Sequence, residues 1–398
     1  ALWCFCPNVL AWGSTITPDL GAASFGIAAA YAFWNWLRAP SWTSAAIAGA
    51  ATGLAELTKS TWIMLFALWP VYWAVWRFTL SRSCSAKPSC RQLAFVLLLA
   101  LYLMNLGYGF ERSFQRLVQF EFISRTLGGP EAHGVAGNGF RESWLGEIPV
   151  PLPADYVHGI DVQKYDFEKG KWSYLRGEHR HGGWHHYYLY ALAVKTPLGT
   201  LALFLMAVFL MVGNSNYRAS LRDEAVLLVP ALAVLLLVSS QTGFSRYLRY
   251  ALPALPFLFI FAGRVGRAFE FNMHRLRAMC LLGAVAAVAS SLWIYPHSMS
   301  YFNEAAGGPR HGHAHLLDAN IDWGQDLLEL KRYVDRHPEA SPIGLAYYGI
   351  VDPKLTGMAA AAAPTSAEIE RRGDDGVVDA RPRTYAISVN NLLGYRDV

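Results

Sequence analysis

Charged residues are scarce in this sequence, and their scarcity excludes several classes of protein. Only 16 % of the 398 residues are Asp, Glu, Lys or Arg, whereas 54 % are apolar. Soluble domains carry about 25 % charged residues. The formal net charge of +5 is too small to indicate nucleic acid as a partner. A disordered chain is excluded, and a single water-soluble globule is disfavoured.

Cysteine and metal-ligand patterns are also sparse. The five cysteines, at positions 4, 6, 84, 90 and 280, match no zinc-binding spacing. His311, His313 and His315 alternate in a way that can chelate a metal, but no acidic residue stands at a recognisable ligand spacing. The sequence therefore indicates no cofactor and no metal ligand set, and it leaves a divalent metal open as an alternative.

The apolar residues are gathered into eight runs with few or no charges. Most runs approach the ~17–25 residues that a helix needs to cross about 30 Å of hydrocarbon. A soluble core helix can be this apolar once, but eight in succession predict a polytopic α-helical membrane protein. The runs are Asp19–Leu37, Trp42–Leu57, Thr61–Trp76, Gln92–Phe110, Thr196–Val212, Ala225–Ser240, Tyr250–Gly263 and Ala278–Tyr295.

Basic residues in the short connections predict which side faces the cytoplasm. Lys and Arg concentrate at Arg38 and in residues 77–91, 214–223 and 264–277, which strict alternation places on one side. By the positive-inside rule, that side is cytoplasmic. We therefore expect a multi-pass protein of the plasma (inner) membrane, with its longest polar regions outside the cytoplasm.

Four regions follow from this topology. Residues 1–110 and 187–296 are expected to form two parts of a transmembrane bundle. Residues 111–186 predict a long extracytoplasmic loop, which opens with an interfacial helix at Glu111–Arg125. Residues 297–398 predict a small extracytoplasmic α/β domain. Because the chain begins with Ala and stops soon after its last predicted strand, we expect a fragment that lacks its first span and loop.

The elements of the last domain can be predicted from local patterns. A helix is expected at Leu327–Arg336, where Asp322 or Asp326 could cap its start. Strands are expected at Ile343–Tyr348 and Arg383–Val389, with a loose alanine-rich connection between them at 358–364.

Four cations interrupt the charge pattern. Lys59, Lys195, Arg246 and Arg249 lie at span ends on the non-cytoplasmic side, where Lys and Arg are normally rare. Snorkelling to the interface explains any one of them, but four at one depth suit a lipid phosphate, which Arg can bind bidentately. Asp19 lies at the same depth, either as an acid at a helix N-terminus or as a carboxylate that acts as a base or binds the sugar.

A carboxylate beside a phosphate-binding set predicts a group transfer at the outer membrane face. The donor would be a sugar linked through phosphate to a polyprenyl lipid, and the cations would stabilise the leaving phosphate. The carboxylate would accept the proton of the attacking hydroxyl, and a single displacement would invert the anomeric carbon. Glu56 precedes Lys59 by three residues on one helix face, so an ion pair between them is expected.

Five segments of the chain follow the pattern of one family. Pro7–Gly21, Gly53–Lys59 and Arg246–Pro256 resemble the phospholipid-carrier-dependent glycosyltransferases. This membrane C-type superfamily includes the dolichyl-phosphate-mannose-protein mannosyltransferases (family 39) and the aminoarabinose transferases. Ser300–Pro309 and Leu317–Asp326 are similar to a bacterial branch of it. The resemblance implies a C-type bundle, an active site facing the periplasm or lumen, and a dolichyl- or undecaprenyl-phosphate sugar as donor.

The resemblance also implies roles for individual residues. Asp19 matches an acidic residue that opens a span in the family, and Lys59 matches a lysine after a Leu-Thr pair. Arg246 and Tyr247 match its carrier-phosphate region. The family's leading acidic motif lies in a first outer loop, before the start of this chain, so Asp19 is expected to be the second carboxylate. Glu56 departs from the family, which is usually apolar there.

The acceptor is expected to be a glycan, a lipid or a protein, bound in the outer polar regions. Trp184, His185 and His186 belong to an aromatic and histidine cluster at the end of the long loop. Asp322, with the aspartates four residues before and after it, would line one helix face. The candidates for contact with the acceptor are Trp184, His185, His186 and Asp322.

Two other functions are compatible with the same composition. A lipid or solute transporter or flippase would also use charges near the membrane and helices broken by proline. A non-catalytic membrane scaffold would keep the bundle without the chemistry. Against transport, the runs carry almost no polar residues at mid-depth and show no internal repeat.

Overall fold

The computed structural model describes residues 1–79, 87–271, 273–363 and 384–395, and these residues are mostly helical. The α-helices, in chain order, are α1 (Pro7–Gly13), α2 (Asp19–Arg38), α3 (Trp42–Thr58), α4 (Leu65–Thr79), α5 (Cys90–Gly107), α6 (Arg125–Gly128), α7 (Ala154–Lys169), α8 (Tyr187–Lys195), α9 (Leu198–Gly213), α10 (Leu221–Ser240), α11 (Leu255–Gly263), α12 (His274–Ile294), α13 (Leu327–Arg336) and α14 (Val389–Leu392).

Each of the eight apolar runs contains a helix, but only some of these helices are long and apolar enough to cross a membrane. Among the described residues, three segments meet both conditions: Cys90–Gly107, Leu248–Phe269 and His274–Ile294. Helices α8 and α9 make a fourth if they count as one span, although they are bent by 116° at their junction. Helices α3, α4 and α9 have 17, 15 and 16 residues, at or below the lower end of the usual range for a span.

Small residues let the first helices approach each other closely. Helix α3 packs against both α2 and α5. A Cβ atom at Gly49 of α3 would lie 2.9 Å from the Val96 carbonyl oxygen of α5, and one at Gly53 would lie 2.9 Å from Leu103 Cβ. Such contacts between small residues are the usual way in which helices associate in lipid, where burial of apolar surface offers little gain.

Aromatic side chains fill the space around α2. Phe33 and Trp69 stack with their ring centroids 4.2 Å apart, and Trp62 is fully buried. The indole nitrogens of Trp62 and Trp69 are satisfied, because Trp62 donates to the Ala22 carbonyl at 2.8 Å and Trp69 donates to the Thr52 hydroxyl at 2.9 Å. In contrast, α12 leaves much of its apolar surface exposed, including Leu282 at 70 %.

The predicted interfacial helix at Glu111–Arg125 is wrong. This stretch consists of turns and a short 3₁₀ segment, Leu117–Gln119. Its backbone bonds to a distant strand-like segment: the Phe114 amide donates to the Val150 carbonyl at 2.9 Å, and the Leu117 amide donates to the Ile148 carbonyl at 3.0 Å. These cross-links replace the hydrogen bonds of a helix. The long helix of this region is α7, which follows Pro153.

The strands form two small sheets. A hairpin pairs β1 (Trp172–Leu175) with β2 (Glu178–His181) in antiparallel register. The second sheet has the order β4-β3-β5, with β3 (Ile343–Ala346), β4 (Ala360–Ala362) and β5 (Tyr385–Ile387) all parallel.

The predicted helix and both predicted strands of the last region are present. Leu327 and Val334 of α13 pack against Ile343 of β3. The alanine-rich segment is not only a loose connection, because three of its residues form β4. Alanine has a low strand propensity, so this short strand depends on its pairing with β3.

Candidate functional site

The Asp19 carboxylate brings two of the predicted cations together. Its Oδ1 atom lies 2.5 Å from Lys59 Nζ, and its Oδ2 atom lies 3.4 Å from Arg249 Nη1. Asp19 is the first residue of α2, Lys59 follows the end of α3, and Arg249 lies in a 3₁₀ segment, Leu248–Ala254. Only 1 % of the Asp19 side chain is exposed. Three helix ends therefore converge on one buried carboxylate.

Aromatic rings hold the two cations in place. Lys59 Nζ lies 4.9 Å from the centre of the Tyr250 ring. The Arg249 guanidinium carbon lies 4.9–5.6 Å from the centres of four rings, those of Trp12, Tyr247, Tyr250 and Trp323. Such contacts stabilise a cation that has lost most of its water. Arg249 Nε is buried without a hydrogen-bond partner among the described residues, which leaves one donor of this group unused.

Burial also changes how these groups titrate. It lowers the pKa of the Lys59 ammonium, and the Asp19 carboxylate opposes that shift while Arg249 adds to it. Burial raises the pKa of the Tyr247 phenol, and the nearby carboxylate of Asp318 adds to that shift. A new negative charge at such a buried site would interact strongly with the cations.

A cavity of about 190 Å³ opens next to Lys59. Its polar lining includes Lys59, Lys164 of α7 and Gln241, and its apolar lining comes mainly from α7 and the end of α10. The further lining residues are Ser60, Thr61, Ile63, Ile160, Gln163, Phe167, Leu237, Val238 and Tyr250. A cavity lined by two lysines and by several apolar side chains can accommodate an anionic head group joined to a hydrocarbon chain.

Arg246 forms an ion pair with a second carboxylate, that of Asp318. Arg246 Nη1 lies 3.8 Å from Asp318 Oδ2, and its Nε donates to the Trp172 carbonyl at 2.7 Å. The Tyr348 hydroxyl donates to Asp318 Oδ1 at 2.6 Å. Asp318 is buried and has a φ of +60°, which is uncommon for a residue with a side chain. Arg246 thus lies beside Tyr247 and Arg249 but is directed to a different acid.

Lys195 does not join the other cations. Its ammonium group donates to the main-chain carbonyls of Met299, at 2.7 Å, and of Asn320. The side chain is buried, and its own carbonyl accepts from the Asn8 amide at 2.7 Å. Lys195 therefore ties α8 to the segments before and after Asp318, and its donors are directed to the backbone.

The expected ion pair between Glu56 and Lys59 is wrong. Glu56 Oε2 accepts a hydrogen bond from the Tyr156 hydroxyl of α7 at 2.8 Å, and Lys59 is paired with Asp19. The backbone leaves the helix at Lys59, whose φ and ψ of −165° and 131° are extended. This change of direction turns the Lys59 side chain away from the helix face that Glu56 occupies.

The four residues proposed for the acceptor lie in two separate places. His185 and His186 are exposed, and Trp184 is half-buried, at the start of α8. Asp322 lies in the last region, where it accepts hydrogen bonds from the Ser388 hydroxyl and from the Gly324 amide at 2.8 Å. Burial raises the pKa of the Asp322 carboxyl, against the effect of these hydrogen bonds. Asp322 thus stabilises its own domain.

The three aspartates do not share a helix face. Asp318 lies in a 3₁₀ segment, Asp318–Asn320, Asp322 lies outside any helix, and Asp326 directly precedes α13. The prediction from their four-residue spacing is wrong, because the helix begins only after the last of them. The Asp326 side chain also makes no capping hydrogen bond to α13.

Several residues of this site were not predicted from the sequence. Trp12, Tyr250 and Trp323 surround Arg249, and Asp318 accompanies Arg246. Asp318 and Trp323 lie within the Leu317–Asp326 segment, whose density of polar and aromatic residues is the one sequence signal for them. Within the described ranges, no three His, Cys, Asp or Glu side chains gather where they could hold a metal ion.

Comparison with known proteins does not assign this chain to a family. No protein-family model matches it, and neither the curated proteins nor the solved structures compared with it give a match.

Proposed function

We propose that this protein is a multi-pass membrane glycosyltransferase of the C-type superfamily. It would transfer a sugar from a polyprenyl-phosphate donor to an acceptor at the outer face of the plasma (inner) membrane. The observation that carries the proposal is the convergence of Lys59 and Arg249 on the buried carboxylate of Asp19. The sequence resemblance described above supports the same function.

The position of the site supports this proposal. Helix α2 runs from Asp19 to Arg38 and has 20 residues, which corresponds to about 30 Å. The carboxylate thus lies one membrane thickness away from the arginine-rich connections. The cavity beside Lys59 is lined by two lysines and by apolar side chains of α7 and α10, as a lipid-linked phosphate requires.

The ion pairs suggest how the donor would activate the site. In the absence of donor, Lys59 and Arg249 neutralise Asp19. The donor phosphate would draw both cations towards itself, and the Asp19 carboxylate would then be free to act as a base. The acceptor hydroxyl would give its proton to Asp19 and attack the anomeric carbon. The bond from that carbon to the phosphate oxygen would break, and polyprenyl phosphate would leave, stabilised by the two cations.

Transfer of a labelled sugar tests this function directly. The purified chain in proteoliposomes receives undecaprenyl-phosphate carrying a radiolabelled hexose or pentose, with glycan, lipid and peptide acceptors. The native chain should transfer the label, and Asp19→Asn should slow transfer by a factor of 10² or more, as loss of a general base does. Asp335→Asn, an exposed carboxylate on α13, is the matched control and should retain native activity.

The same experiment separates the alternative functions. A flippase would move the labelled donor across the bilayer without transferring its sugar, and a scaffold would do neither. If Asp19→Asn transfers the sugar at the native rate, Asp19 is not the catalytic base, but the proposed function is not contradicted. Absence of transfer to every acceptor, with the donor in excess, would contradict the function itself.

A further inference from the structure

A large groove in the structure includes Trp323, whose ring also contacts Arg249 of the Asp19 site. This groove has a volume of about 1010 Å³, at the upper end of the usual range for ligand pockets. Its walls come from α1 and the loop before Asp19, from the end of α12, and from the last region around α13. The sequence analysis did not predict it.

The groove lining combines aromatic rings with planar polar side chains. Tyr295, Trp323 and Tyr347 contribute rings. Gln325, Asp326, Glu329, Arg332 and His297 contribute amide, carboxylate, guanidinium and imidazole groups. Aliphatic side chains complete the lining, among them the exposed Ile16 and Ile350. A sugar ring presents an apolar C–H face together with adjacent hydroxyl groups, and this lining complements both surfaces.

Several polar side chains of the groove are bonded to one another. Asp326 Oδ1 lies 3.1 Å from His297 Nδ1, and its Oδ2 accepts from the Gln325 amide at 3.0 Å. Glu329 pairs with Arg332 one turn further along α13. Two carboxylates against one guanidinium disfavour a phosphate, and the amide, carboxylate and guanidinium groups can bond hydroxyl groups, so the groove suits a neutral ligand with many hydroxyl groups.

Trp323 joins the groove to the Asp19 site. Its ring lies 5.5 Å from the Trp12 ring and 5.6 Å from the Arg249 guanidinium carbon. Arg249 in turn contacts Asp19. The groove also includes Ser14 and Thr15, a few residues before Asp19 in the chain. A ligand in the groove would therefore contact the same tryptophan that packs on Arg249.

We infer that this groove binds the acceptor and that the acceptor is a neutral glycan. The inference rests on the proposed function, since it assigns the substrate class of the same site. It also places acceptor recognition in the groove, away from Trp184, His185 and His186.

Direct binding measurements test the groove without requiring transfer. The full chain in lipid nanodiscs is titrated with neutral glucan, mannan and chitin fragments of two or three residues, and saturation-transfer NMR detects binding. At least one fragment should bind, and Asp326→Asn combined with Glu329→Gln should weaken its affinity at least fivefold. Asp335→Asn, on the same helix but outside the groove, should bind like the native chain. Thermal unfolding of each variant confirms that it is folded.

The possible results separate the glycan from other acceptors. Binding of an uncharged Ser/Thr peptide in place of all glycan fragments would overturn the inference, as would glycan binding that the double variant does not weaken. Transfer of sugar to peptides alone would also overturn it while leaving the proposed function intact. Binding of a glycan without transfer from any donor would contradict the proposed function and leave the groove as a carbohydrate site.

Discussion

The Asp19 site is controlled by single buried charges. A buried ion pair gains little net stability, but removal of one partner leaves an uncompensated charge, which is strongly unfavourable. Asp19 is 1 % exposed, and Lys59 and Arg249 are 13 % and 20 % exposed. The two cations therefore need a negative partner, which is either the Asp19 carboxylate or a bound phosphate, and the carboxylate needs at least one of the cations.

Removal of the Lys59 charge should destabilise the protein. Lys59→Met leaves Asp19 with Arg249 alone, at 3.4 Å, and we expect a loss of about 3 kcal/mol in the free energy of unfolding. Adding Asp19→Asn to this variant should restore part of the loss, because no buried negative charge remains. Denaturation in mild detergent measures both effects.

The exposed pair of Lys331 and Asp335 is the control for this prediction. Lys331→Met breaks an ion pair whose carboxylate is 57 % exposed, so it should cost less than about 1 kcal/mol. If Lys59→Met costs no more than Lys331→Met, the Asp19 pair does not behave as a buried one.

The four predicted cations show what a residue's sequence position can and cannot indicate. The charge pattern treated Lys59, Lys195 and Arg246 alike, since all three lie at span ends. The structure directs Lys59 to a carboxylate beside a cavity, Arg246 to another carboxylate, and Lys195 to backbone carbonyls. A cation near the membrane needs a partner, but the nature of that partner depends on which segments pack next to it.

At the scale of elements, helix positions follow the apolar runs closely. Helices α2, α3 and α12 lie where the runs predicted them, and their bounds differ by only a few residues. Local composition is sufficient here, because an apolar segment that satisfies its own backbone hydrogen bonds is stable with few other contacts. The segment Glu111–Arg125 had no such run, and its backbone bonds to residues 148–150.

The substitution Gly26→Ala, which adds one methyl group, tests the close packing between α2 and Trp62. A Cβ atom at Gly26 would lie 1.9 Å from Trp62 Cζ2, and Trp62 is fully buried. Gly26→Ala should therefore lower the free energy of unfolding by about 2 kcal/mol, as overpacking does. Thermal unfolding in detergent measures the change.

Gly159 provides the matched control within another helix. It lies in the middle of α7, and no atom lies within 4 Å of a Cβ placed there. Gly159→Ala should stabilise the protein by up to about 1 kcal/mol, since alanine favours helix more than glycine. Equal effects of the two substitutions would contradict close packing at Gly26.

At the scale of the whole molecule, the proposal requires the two ends of the bundle to face different compartments. The Asp19 site and the hairpin of β1 and β2 belong to the outer end in this proposal. Arg77, Cys90 and Arg91 belong to the cytoplasmic end. The basic connections indicate this orientation.

Cysteine labelling tests the orientation. One variant keeps Cys90 as its only cysteine, and another has Glu178→Cys as its only cysteine; both positions are exposed. In spheroplasts, a membrane-impermeant maleimide should label position 178 at once and Cys90 only after permeabilisation. The reverse result would place the Asp19 carboxylate in the cytoplasm and contradict the proposed topology.

The sequence by itself determined the helices in the eight apolar runs, the concentration of Lys and Arg in a few connections, and the helix and strands of the last region. These features depend on residues close together in the chain. Only the tertiary structure decided which charges meet: Lys59 is 40 residues from Asp19, and Arg249 is 230 residues from it. Such pairing depends on how helices pack, which no local pattern encodes, and the groove between α1 and the last region exists for the same reason.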